Sequence, residues 1–449
     1  MSGTLEQPVR SDRSAASERG PRFPDADAFC ERVAASSFFA EGAPVTVARA
    51  PGRLDVLGGI ADYSGSLVLE LPLAIAALAA AQVHDDGSAV AVSGARRLAL
   101  DAHDLSNLPL TELAARFAGP DAWAAYVLGP VALLLREQGR SLPGLRVLVS
   151  SELPEGKGLA SSAAIGVAVL HAVAGCLGDV PEPRRIALLA QQAEQLLAGA
   201  PCGAMDQVTA ACGRHNHLLL LLCRPAEIVR SIPLPAEFVV WGIDSGIPHA
   251  VAGSAYRRAR CAASIGKTLL GCDRPYLTEL ERSDVDPEQL PEWMTGEDFL
   301  RHHRGIDDPA VTVERDAVYP VRAATLHPLE EQVRVRTFAQ LLAQPVTNER
   351  ACLLGQLMYQ SHAGYSRCGL GTQGTDDLVE AVRAAGWDQG LAGARASAGG
   401  SGGTVVVLGR REAEPLVRSI AARLGAGFVR GSSVGAAGFG IRLLRAESG

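Results

Sequence analysis

The sequence predicts a mixed α/β protein of two or three domains. The chain has 449 residues, more than a single hydrophobic core usually spans. Short apolar runs typical of buried strands alternate with longer segments of helical periodicity. Hydrophobic residues make up 47% of the chain and charged residues 20%, the ordinary balance of a globular protein. A small scaffold held together by disulfides is therefore excluded.

The N-terminal half alternates strands and helices. Residues 1–24 are polar and predict a disordered tail. Amphipathic spacing predicts a helix at 25–40, and apolar runs predict a strand at 45–48 and a buried strand or hairpin at 67–81. The remaining expected elements are a helix at 122–137, a strand at 145–150, helices at 161–176 and 184–197, a helix from about Met205, and a strand at 218–223.

The C-terminal half begins with an apolar strand at 238–241. Residues 272–312 are the most polar stretch and are interpreted as a partly helical insertion at the surface. Helices are expected at 328–342 and 353–362, and a glycine-rich turn at 396–403 leads into a strand at 404–408. No internal repeat is visible.

Charge and cysteine content exclude several classes of protein. The 42 basic and 49 acidic residues give a net charge of -7, which disfavours a nucleic-acid binder. The longest apolar stretches are interrupted by charged residues, proline or glycine, so neither supplies the roughly 20 residues of a membrane span. The nine cysteines are scattered without a Cys-x-x-Cys pair, and the N-terminus lacks the apolar core of a secretory signal. We expect a cytoplasmic protein with neither a nucleic-acid nor a membrane partner.

The segment at 154–163 is the first that carries chemistry. Its glycines and the Ser161-Ser162 pair stand between a predicted strand and a predicted helix. Backbone amides and the positive end of a helix dipole would then surround one point, as phosphate binding requires. The alternative is a plain helix cap, because the spacing matches neither the P-loop nor the dinucleotide fingerprint.

Two carboxylates follow, separated by a glycine-containing turn at 199–203. Glu194 and Asp206 could serve phosphoryl transfer, one holding Mg²⁺ together with a hydroxyl and the other orienting an attacking hydroxyl. The alternative is structural, with Asp206 capping a helix and Glu194 on a solvated helix face. The spacing alone favours neither interpretation.

Two glycine-rich segments complete the set. In 50–65, Arg53 and Asp62 lie in an otherwise apolar turn, where each charge needs either a ligand or a partner such as the other. The segment at 396–403 is either a flexible linker or, given the strand that follows it, a close backbone approach to a ligand.

In this order, the four segments resemble the motifs of the galactokinase branch of the GHMP sugar kinases, from about residue 45 to residue 444. The resemblance implies a two-domain α/β fold with the active site in the cleft between the domains. We accordingly expect an N-terminal domain at 25–237 and a C-terminal domain at 238–449, with the polar insertion at about 272–312. It also implies ATP as co-substrate and Mg²⁺ as cofactor, in a monomer or a homodimer.

The resemblance also carries site roles onto matching positions. Asp206 would be the catalytic base and Arg53 the cation that keeps it ionised; Ser162 and Glu194 would hold Mg²⁺. The residues predicted around ATP are Gly156, Lys157, Gly158, Leu159, Ala160, Ser161 and Ser162. Lys157 has no counterpart in the family pattern, and its alternative is a solvated loop lysine. The residues implied around the sugar are Gly59, Ile60, Asp62, Gly203 and Tyr256.

One departure from the family pattern concerns the substrate. Galactokinases have Glu-His where this chain has Gly59-Ile60, and that Glu contacts the 6-hydroxyl of the sugar. An unmatched buried hydroxyl costs on the order of 1–3 kcal/mol, so galactose should be disfavoured. L-Arabinopyranose has the same ring hydroxyls without the exocyclic group, and the segments at 52–65 and 199–212 are closely similar to the kinase region of plant-type L-arabinokinases.

The expected function is therefore an ATP-dependent kinase that phosphorylates the anomeric hydroxyl of L-arabinose. Pro248 stands where relatives usually have Arg, which removes a cation near the sugar. Two alternatives stay open: another anomeric sugar kinase, and a non-catalytic sugar-sensing regulator. The complete set of Asp206, Glu194, Ser162 and the glycine loop argues against the regulator.

Overall fold

The computed structural model describes residues 23–248, 254–431 and 440–444. The predicted tail lies outside the described residues except for its last two positions. The described strands are β1 Val45–Leu57, β2 Leu67–Val83, β3 Ser88–Ser93, β4 Arg96–Asp101, β5 Leu145–Ser151, β6 His217–Leu222, β7 Glu227–Pro233, β8 Phe238–Asp244, β9 Met294–Thr295, β10 Val318–Tyr319, β11 Leu391–Ala396, β12 Thr404–Arg410, β13 Gly427–Arg430 and β14 Gly440–Leu444.

The described α-helices are α1 Pro24–Ala34, α2 Ala102–Asn107, α3 Leu110–Arg116, α4 Leu128–Glu137, α5 Ser161–Leu177, α6 Pro183–Leu196, α7 Met205–Cys212, α8 Ser254–Leu269, α9 Gly296–His302, α10 Val321–Leu342, α11 Asn348–Arg367, α12 Gln373–Ala385 and α13 Glu414–Arg423. Short 3₁₀ turns lie at Gly59–Ser64, Gly119–Tyr126, Leu277–Glu279, Arg282–Asp284, Pro287–Gln289, Trp387–Gln389 and Arg411–Ala413. Among the described residues, no helix is both long enough and apolar enough to cross a membrane.

Two large sheets and the short two-stranded sheet β10-β9 organise these elements. The larger has the order β14-β1-β2-β5-β3-β4, and β6 and β7 extend it from the other end of the long strand β2. The second sheet has the order β11-β12-β8-β13. Among the described strands, pairing is antiparallel except between β3 and β5. Strand β14 brings the chain back to the larger sheet from within the range expected for the C-terminal domain.

Helices cover each sheet with apolar side chains. The small-residue helix α5 packs on β1 and β2, because its Ala and Gly residues allow close approach to the sheet. The resulting core also takes in α4, α6 and α7. A separate core joins the second sheet to α12 and α13. The glycine loop before α5 and the start of α7 are thereby held on a rigid base.

Several predicted elements have different bounds in the structure. The helix predicted at 25–40 ends at Ala34, and the helix predicted at 122–137 is a 3₁₀ turn followed by α4. The segment at 67–81 is one continuous strand. The helix predicted to begin at Pro328 begins seven residues earlier, and this proline lies inside α10. Periodicity alone misplaced these ends because tertiary packing decides where each element stops.

The segment at 272–312, interpreted as a surface insertion, is mostly exposed or half-buried but also contributes to a core. The segment is partly helical as expected, but Leu277, Leu290 and Phe299 are at most 3% exposed. They belong to a third apolar core, which also contains Ile60 and Tyr256. Their spacing is irregular because the segment is built from short turns. The sequence therefore shows no helical or strand periodicity that would predict which of its residues are buried.

Candidate active site

A buried arginine forms the centre of the candidate site. Arg53 lies on β1, immediately after the position where the hydrogen-bond register between β1 and β2 shifts. Its side chain is 2% exposed. Its Nε donates to Asp206 Oδ1 at 2.9 Å, and its Nη1 donates to the carbonyl oxygen of Gly158 at 2.5 Å. Burial would lower the pKa of Arg53, but the charges of Asp206, Glu70 and Asp55 raise it above its ordinary value. The guanidinium thus stays charged and joins the glycine loop to Asp206.

Glu70 on β2 is a second carboxyl group beside this arginine. Its Oε2 lies 3.3 Å from Arg53 Nε, and the side chain is fully buried. Burial raises the pKa of Glu70 well above its usual range, and the nearby charge of Asp55 raises it further. Burial thus opposes ionisation of Glu70, whereas the neighbouring charge of Arg53 favours it.

Asp206 is in the first turn of α7, but it does not act as the helix cap. The N-cap residue is Ala204, which makes no side-chain hydrogen bond. The carboxylate turns instead toward Arg53 Nη2, at 2.7 Å from Oδ1, and its side chain remains 19% exposed. The structural alternative for Asp206 thus does not describe its contacts, and one anchored carboxylate is open to a ligand.

The glycine loop before α5 borders a cleft of about 420 Å³. Gly156, Gly158 and Ala160 have positive φ angles of 70°, 71° and 60°, which coil the backbone around the start of the helix. The predicted ATP-site residues lining the cleft are Gly156, Gly158, Leu159, Ala160, Ser161 and Ser162. Such a loop at a helix N-terminus is suited to an anionic ligand.

Lys157 does not join its neighbours in the cleft. Its Nζ lies 3.0 Å from Asp244 Oδ2 at the end of β8, and its carbonyl oxygen accepts a hydrogen bond from Thr404 Oγ1 at 2.8 Å. This residue therefore joins the glycine loop to the second sheet.

Ser162 and Glu194, the predicted metal pair, are in direct contact. The Ser162 hydroxyl donates to Glu194 Oε1 at 2.8 Å, and Gln207 Nε2 donates to Glu194 Oε2 at 2.7 Å. Glu194 is 8% exposed, so it does not lie on a solvated helix face. Burial raises the pKa of Glu194 to about 7. Among the described residues, no group of three or more His, Cys, Asp or Glu side chains could hold a metal.

The outer part of the cleft is aromatic. Trp123 and Tyr126 line it beside Arg96, whose guanidinium lies 5.5 Å from the Trp123 ring centroid. Arg96 Nη2 also lies 2.8 Å from Oε1 of Glu155 in the glycine loop. Sequence reasoning missed this wall because its residues come from a strand end and a 3₁₀ turn. Aromatic residues make up only 5% of the chain, so Trp123 was the one residue whose rarity could have indicated a binding surface here.

A small cavity adjoins the cleft. The five predicted sugar-site residues all line it: Gly59, Ile60, Asp62, Gly203 and Tyr256. Gly203 is required by close approach, because a Cβ there would lie 1.9 Å from Asp62 Oδ2. Asp62 Oδ1 is buried without a hydrogen-bond partner, and burial together with the charge of Asp206 raises the pKa of Asp62 to about 7. The suggested Arg53–Asp62 ion pair is absent, which leaves Asp62 available to a ligand.

Tyr365, which the sequence did not predict to be near the site, packs against Gly59. The φ of Gly59 is +46°, and a Cβ at this position would lie 1.6 Å from the hydroxyl oxygen of Tyr365. That hydroxyl accepts a hydrogen bond from the Ile60 amide at 2.9 Å and donates to the Ala398 carbonyl at 2.5 Å. Tyr365 therefore fills the volume that a side chain at position 59 would occupy.

The C-terminal glycine-rich turn is ordered by the segment at 50–65. Asp55 Oδ2 lies 2.8 Å from Arg395 Nη1 and accepts a hydrogen bond from the Ala398 amide at 2.9 Å. Ala398 and Gly399 reach the small cavity and form part of its wall. The turn is thus a structured backbone approach and not a flexible linker.

Arg53 and Asp206 line both the cleft and the small cavity. A molecule in the cavity and an anion on the glycine loop would meet at this pair. An anchored carboxylate can orient or deprotonate a hydroxyl, while the guanidinium neutralises negative charge. The site is chemically equipped for transfer of a group from an anionic donor to a hydroxyl.

The sequence of this chain is similar to a known protein family and to characterised kinases. The family model for the GHMP kinases N terminal domain matches residues 125–214. The chain is 36% identical over 457 aligned residues to L-arabinokinase from Arabidopsis thaliana, covering 85% of this chain and 44% of the plant protein. It is 33% identical over 327 residues to galactokinase from Roseiflexus sp. (strain RS-1), covering 71% of this chain and 72% of that protein. This chain thus spans less than half the length of its plant relative.

A solved structure confirms the predicted fold. Lactococcus lactis galactokinase complexed with galactose matches with a TM-score of 0.75 at 18% identity, covering 92% of this chain and 99% of that chain. At this level of identity the match establishes the fold alone, and the roles of the site residues stay predictions.

Proposed function

This chain belongs to the GHMP kinase family, in the branch of the galactokinases and L-arabinokinases, and we propose on that premise that it is an ATP-dependent sugar kinase. It transfers the γ-phosphoryl group of ATP to the anomeric hydroxyl of L-arabinose, giving L-arabinose 1-phosphate and ADP. The observation that carries the proposal is the position of Arg53 and Asp206, which face the cleft and the small cavity at once.

Each of the two residues has a defined task. Asp206 orients the sugar's C1 hydroxyl and accepts its proton as the oxygen attacks phosphorus. Arg53 holds the carboxylate through two nitrogens, at 2.9 and 2.7 Å, and so fixes its orientation. Its third nitrogen holds the carbonyl of Gly158, so the base and the phosphate loop keep a fixed spacing. Such positioning and charge neutralisation are most of what phosphoryl transfer asks of a protein.

Ser162 and Glu194 fit a Mg²⁺ ion bound together with ATP. A hydroxyl and a carboxylate are the hard oxygen donors that Mg²⁺ prefers, with phosphate oxygens and water completing its coordination. The raised pKa of Glu194 reflects a buried charge that a neighbouring cation would stabilise in its ionised form. When bound, the ion would neutralise charge on the phosphates.

Glu194→Gln tests this metal assignment. Glutamine keeps the size of the side chain and an oxygen that can accept from Ser162, but it removes the negative charge. We expect the Mg²⁺ concentration for half-maximal rate to rise by about tenfold, measured by titrating Mg²⁺ at constant ATP. Glu182→Gln, at an exposed position just before α6, is the matched control. An unchanged Mg²⁺ requirement in Glu194→Gln would remove this residue from the metal site.

The choice of L-arabinose rests on the wall around Gly59 and Ile60. In galactokinases a Glu at the position of Gly59 contacts the sugar's 6-hydroxyl, whereas here the space behind Gly59 is filled by Tyr365. Ile60, which is 1% exposed, offers no polar side-chain atom. A buried 6-hydroxyl would lack a partner at a cost of about 1–3 kcal/mol, which favours a sugar without the exocyclic CH₂OH group.

A coupled ADP-release assay with Mg²⁺-ATP tests the function directly. We expect L-arabinose to exceed D-galactose by at least about tenfold in kcat/KM, with L-fucose and D-glucuronate as further substrates in the panel. NMR of the product locates the phosphate, which we expect on C1. A preference for D-galactose would retain the mechanism and overturn the specificity argument, and phosphate on another carbon would contradict the role of Asp206 at the anomeric hydroxyl.

A further inference from the structure

The segment at 272–312 packs directly behind the small cavity. Its buried residues Leu277 and Phe299 share one apolar core with Ile60 and Tyr256, which line the cavity. Thr278 Oγ1 donates to the carbonyl oxygen of Ser64 at 2.8 Å, at the end of the 3₁₀ turn that carries Ile60 and Asp62. The segment therefore supports the wall in which the cavity residues lie.

One charged contact carries this support closer to the site. Asp308 binds Arg260 through two hydrogen bonds, with Arg260 Nε donating to Oδ2 at 2.6 Å and Nη2 donating to Oδ1 at 2.8 Å. The remaining nitrogen, Nη1, donates to the carbonyl oxygen of Pro201 at 2.6 Å. Both charged side chains are nearly buried, with 10% and 12% exposure. Arg260 is thus fixed between the insertion and the turn that leads to Gly203.

The fixed guanidinium also acts on the cavity electrostatically. It lies 5.5 Å from the ring centroid of Tyr63, the residue that follows Asp62. Burial and the charge of Asp206 raise the pKa of Asp62, and the positive charge of Arg260 opposes that rise. The position of Arg260 consequently affects both the backbone near Gly203 and the charge available on Asp62.

We propose that Asp308 is a positioning residue of the sugar site, which acts by holding Arg260 against Pro201 and near Asp62. The proposal deepens the proposed function and rests on it, since it takes the small cavity as the sugar subsite. Asp308 does not line the cavity and has no contact with the cleft. Its loss should weaken sugar binding while leaving ATP binding and the chemical step nearly intact.

Asp308→Asn tests this role, with Asp307→Asn as the matched control. Asp307 is the adjacent carboxylate, but it is 62% exposed and pairs with Lys267 away from the cavity. For Asp308→Asn we expect about a tenfold increase in the sugar KM, with kcat and the ATP KM within about twofold of the unmodified protein. Asp307→Asn should leave all three constants unchanged. The substrate is whichever sugar of the panel the unmodified protein phosphorylates.

A second measurement does not depend on turnover. Hydrogen exchange of the amides at 202–204 should be faster in Asp308→Asn and unchanged in Asp307→Asn, because only the former loosens the hold on Pro201. An unchanged sugar KM in Asp308→Asn would overturn the proposal, as would an equal effect of both substitutions. If the unmodified protein phosphorylated no sugar, the proposed function would fail, and the exchange experiment would still decide whether Asp308 positions this turn.

Discussion

Replacing Asp206 by Asn is expected to lower kcat by about 10²–10⁴-fold, the usual contribution of a positioned general base. Asparagine has the shape of aspartate and an oxygen that can still accept from Arg53, but it cannot accept the proton of the sugar hydroxyl. The sugar KM should change little, because Asp62, Gly203 and Tyr256 keep their places around the cavity. Steady-state kinetics with L-arabinose and Mg²⁺-ATP measure both constants.

The control for this prediction is Asp85→Asn, at an exposed position between β2 and β3. Thermal unfolding and far-ultraviolet circular dichroism of both variants establish that the fold is retained. Turnover of Asp206→Asn within tenfold of the unmodified protein would remove Asp206 from the role of base. Loss of turnover accompanied by loss of the folded state would instead indicate that the Arg53–Asp206 contact is structural.

Gly59→Ala is expected to destabilise the protein more than an ordinary surface substitution. The left-handed backbone at φ +46° costs a residue with a Cβ about 1–2 kcal/mol. The contact of that Cβ with the hydroxyl of Tyr365, at 1.6 Å before relaxation, adds about 1–3 kcal/mol of overpacking. Urea unfolding measures the sum as a decrease in the free energy of unfolding.

Gly94→Ala separates the two contributions. Gly94 also has a positive φ, +59°, but a Cβ there would have no heavy atom within 4 Å. Its substitution should therefore cost only the backbone part. In a Tyr365→Phe background, Gly59→Ala should cost less than in the unmodified protein, because the nearest clashing atom is gone and only the milder contact with Asp55 Oδ2, at 2.7 Å, and that with Arg395 Nη2, at 2.9 Å, remain. Equal costs for Gly59→Ala and Gly94→Ala would contradict the view that Tyr365 occupies the space of a side chain at position 59.

This prediction also bears on the substrate. Introducing the Glu of galactokinases at position 59 would place a larger side chain against Tyr365, so that change alone should not produce a galactose kinase. The expected outcome is a less stable protein, and the Tyr365 hydroxyl would have to be removed before a longer side chain could fit. On the proposed function, a change of specificity at this wall would therefore require substitutions at both Gly59 and Tyr365.

Motifs that are contiguous in the chain could be predicted from the sequence. The strand, glycine loop and helix at 145–177 occur nearly as expected, because their turn residues and apolar periodicity are local signals. The two carboxylates, Glu194 and Asp206, were also identified. Sequence reasoning alone left each of them open between a structural and a chemical role, since spacing does not reveal which atom a carboxylate faces.

The partners of the charged residues could not be predicted. Arg53 pairs with Asp206 and with Glu70, whereas the sequence suggested Asp62. Lys157 contacts Asp244 and does not line the cleft. The polar segment at 272–312 supplies buried support behind the cavity, although its composition indicated a surface insertion. In each case the partner is distant in sequence, and ordinary local patterns carry no information about it.

The sequence by itself determined the α/β class and the family resemblance, and it predicted which residues hold phosphate, metal and sugar. These depend on residue type, glycine placement and short-range periodicity. Only the tertiary structure decided that Arg53 and Asp206 stand where cleft and cavity meet, that Tyr365 fills the space behind Gly59, and that Asp308 holds Arg260. The physical reason is that burial and the choice of ionic partner are set by packing between distant segments, which removes water and leaves each charge to the partners that the fold brings within reach.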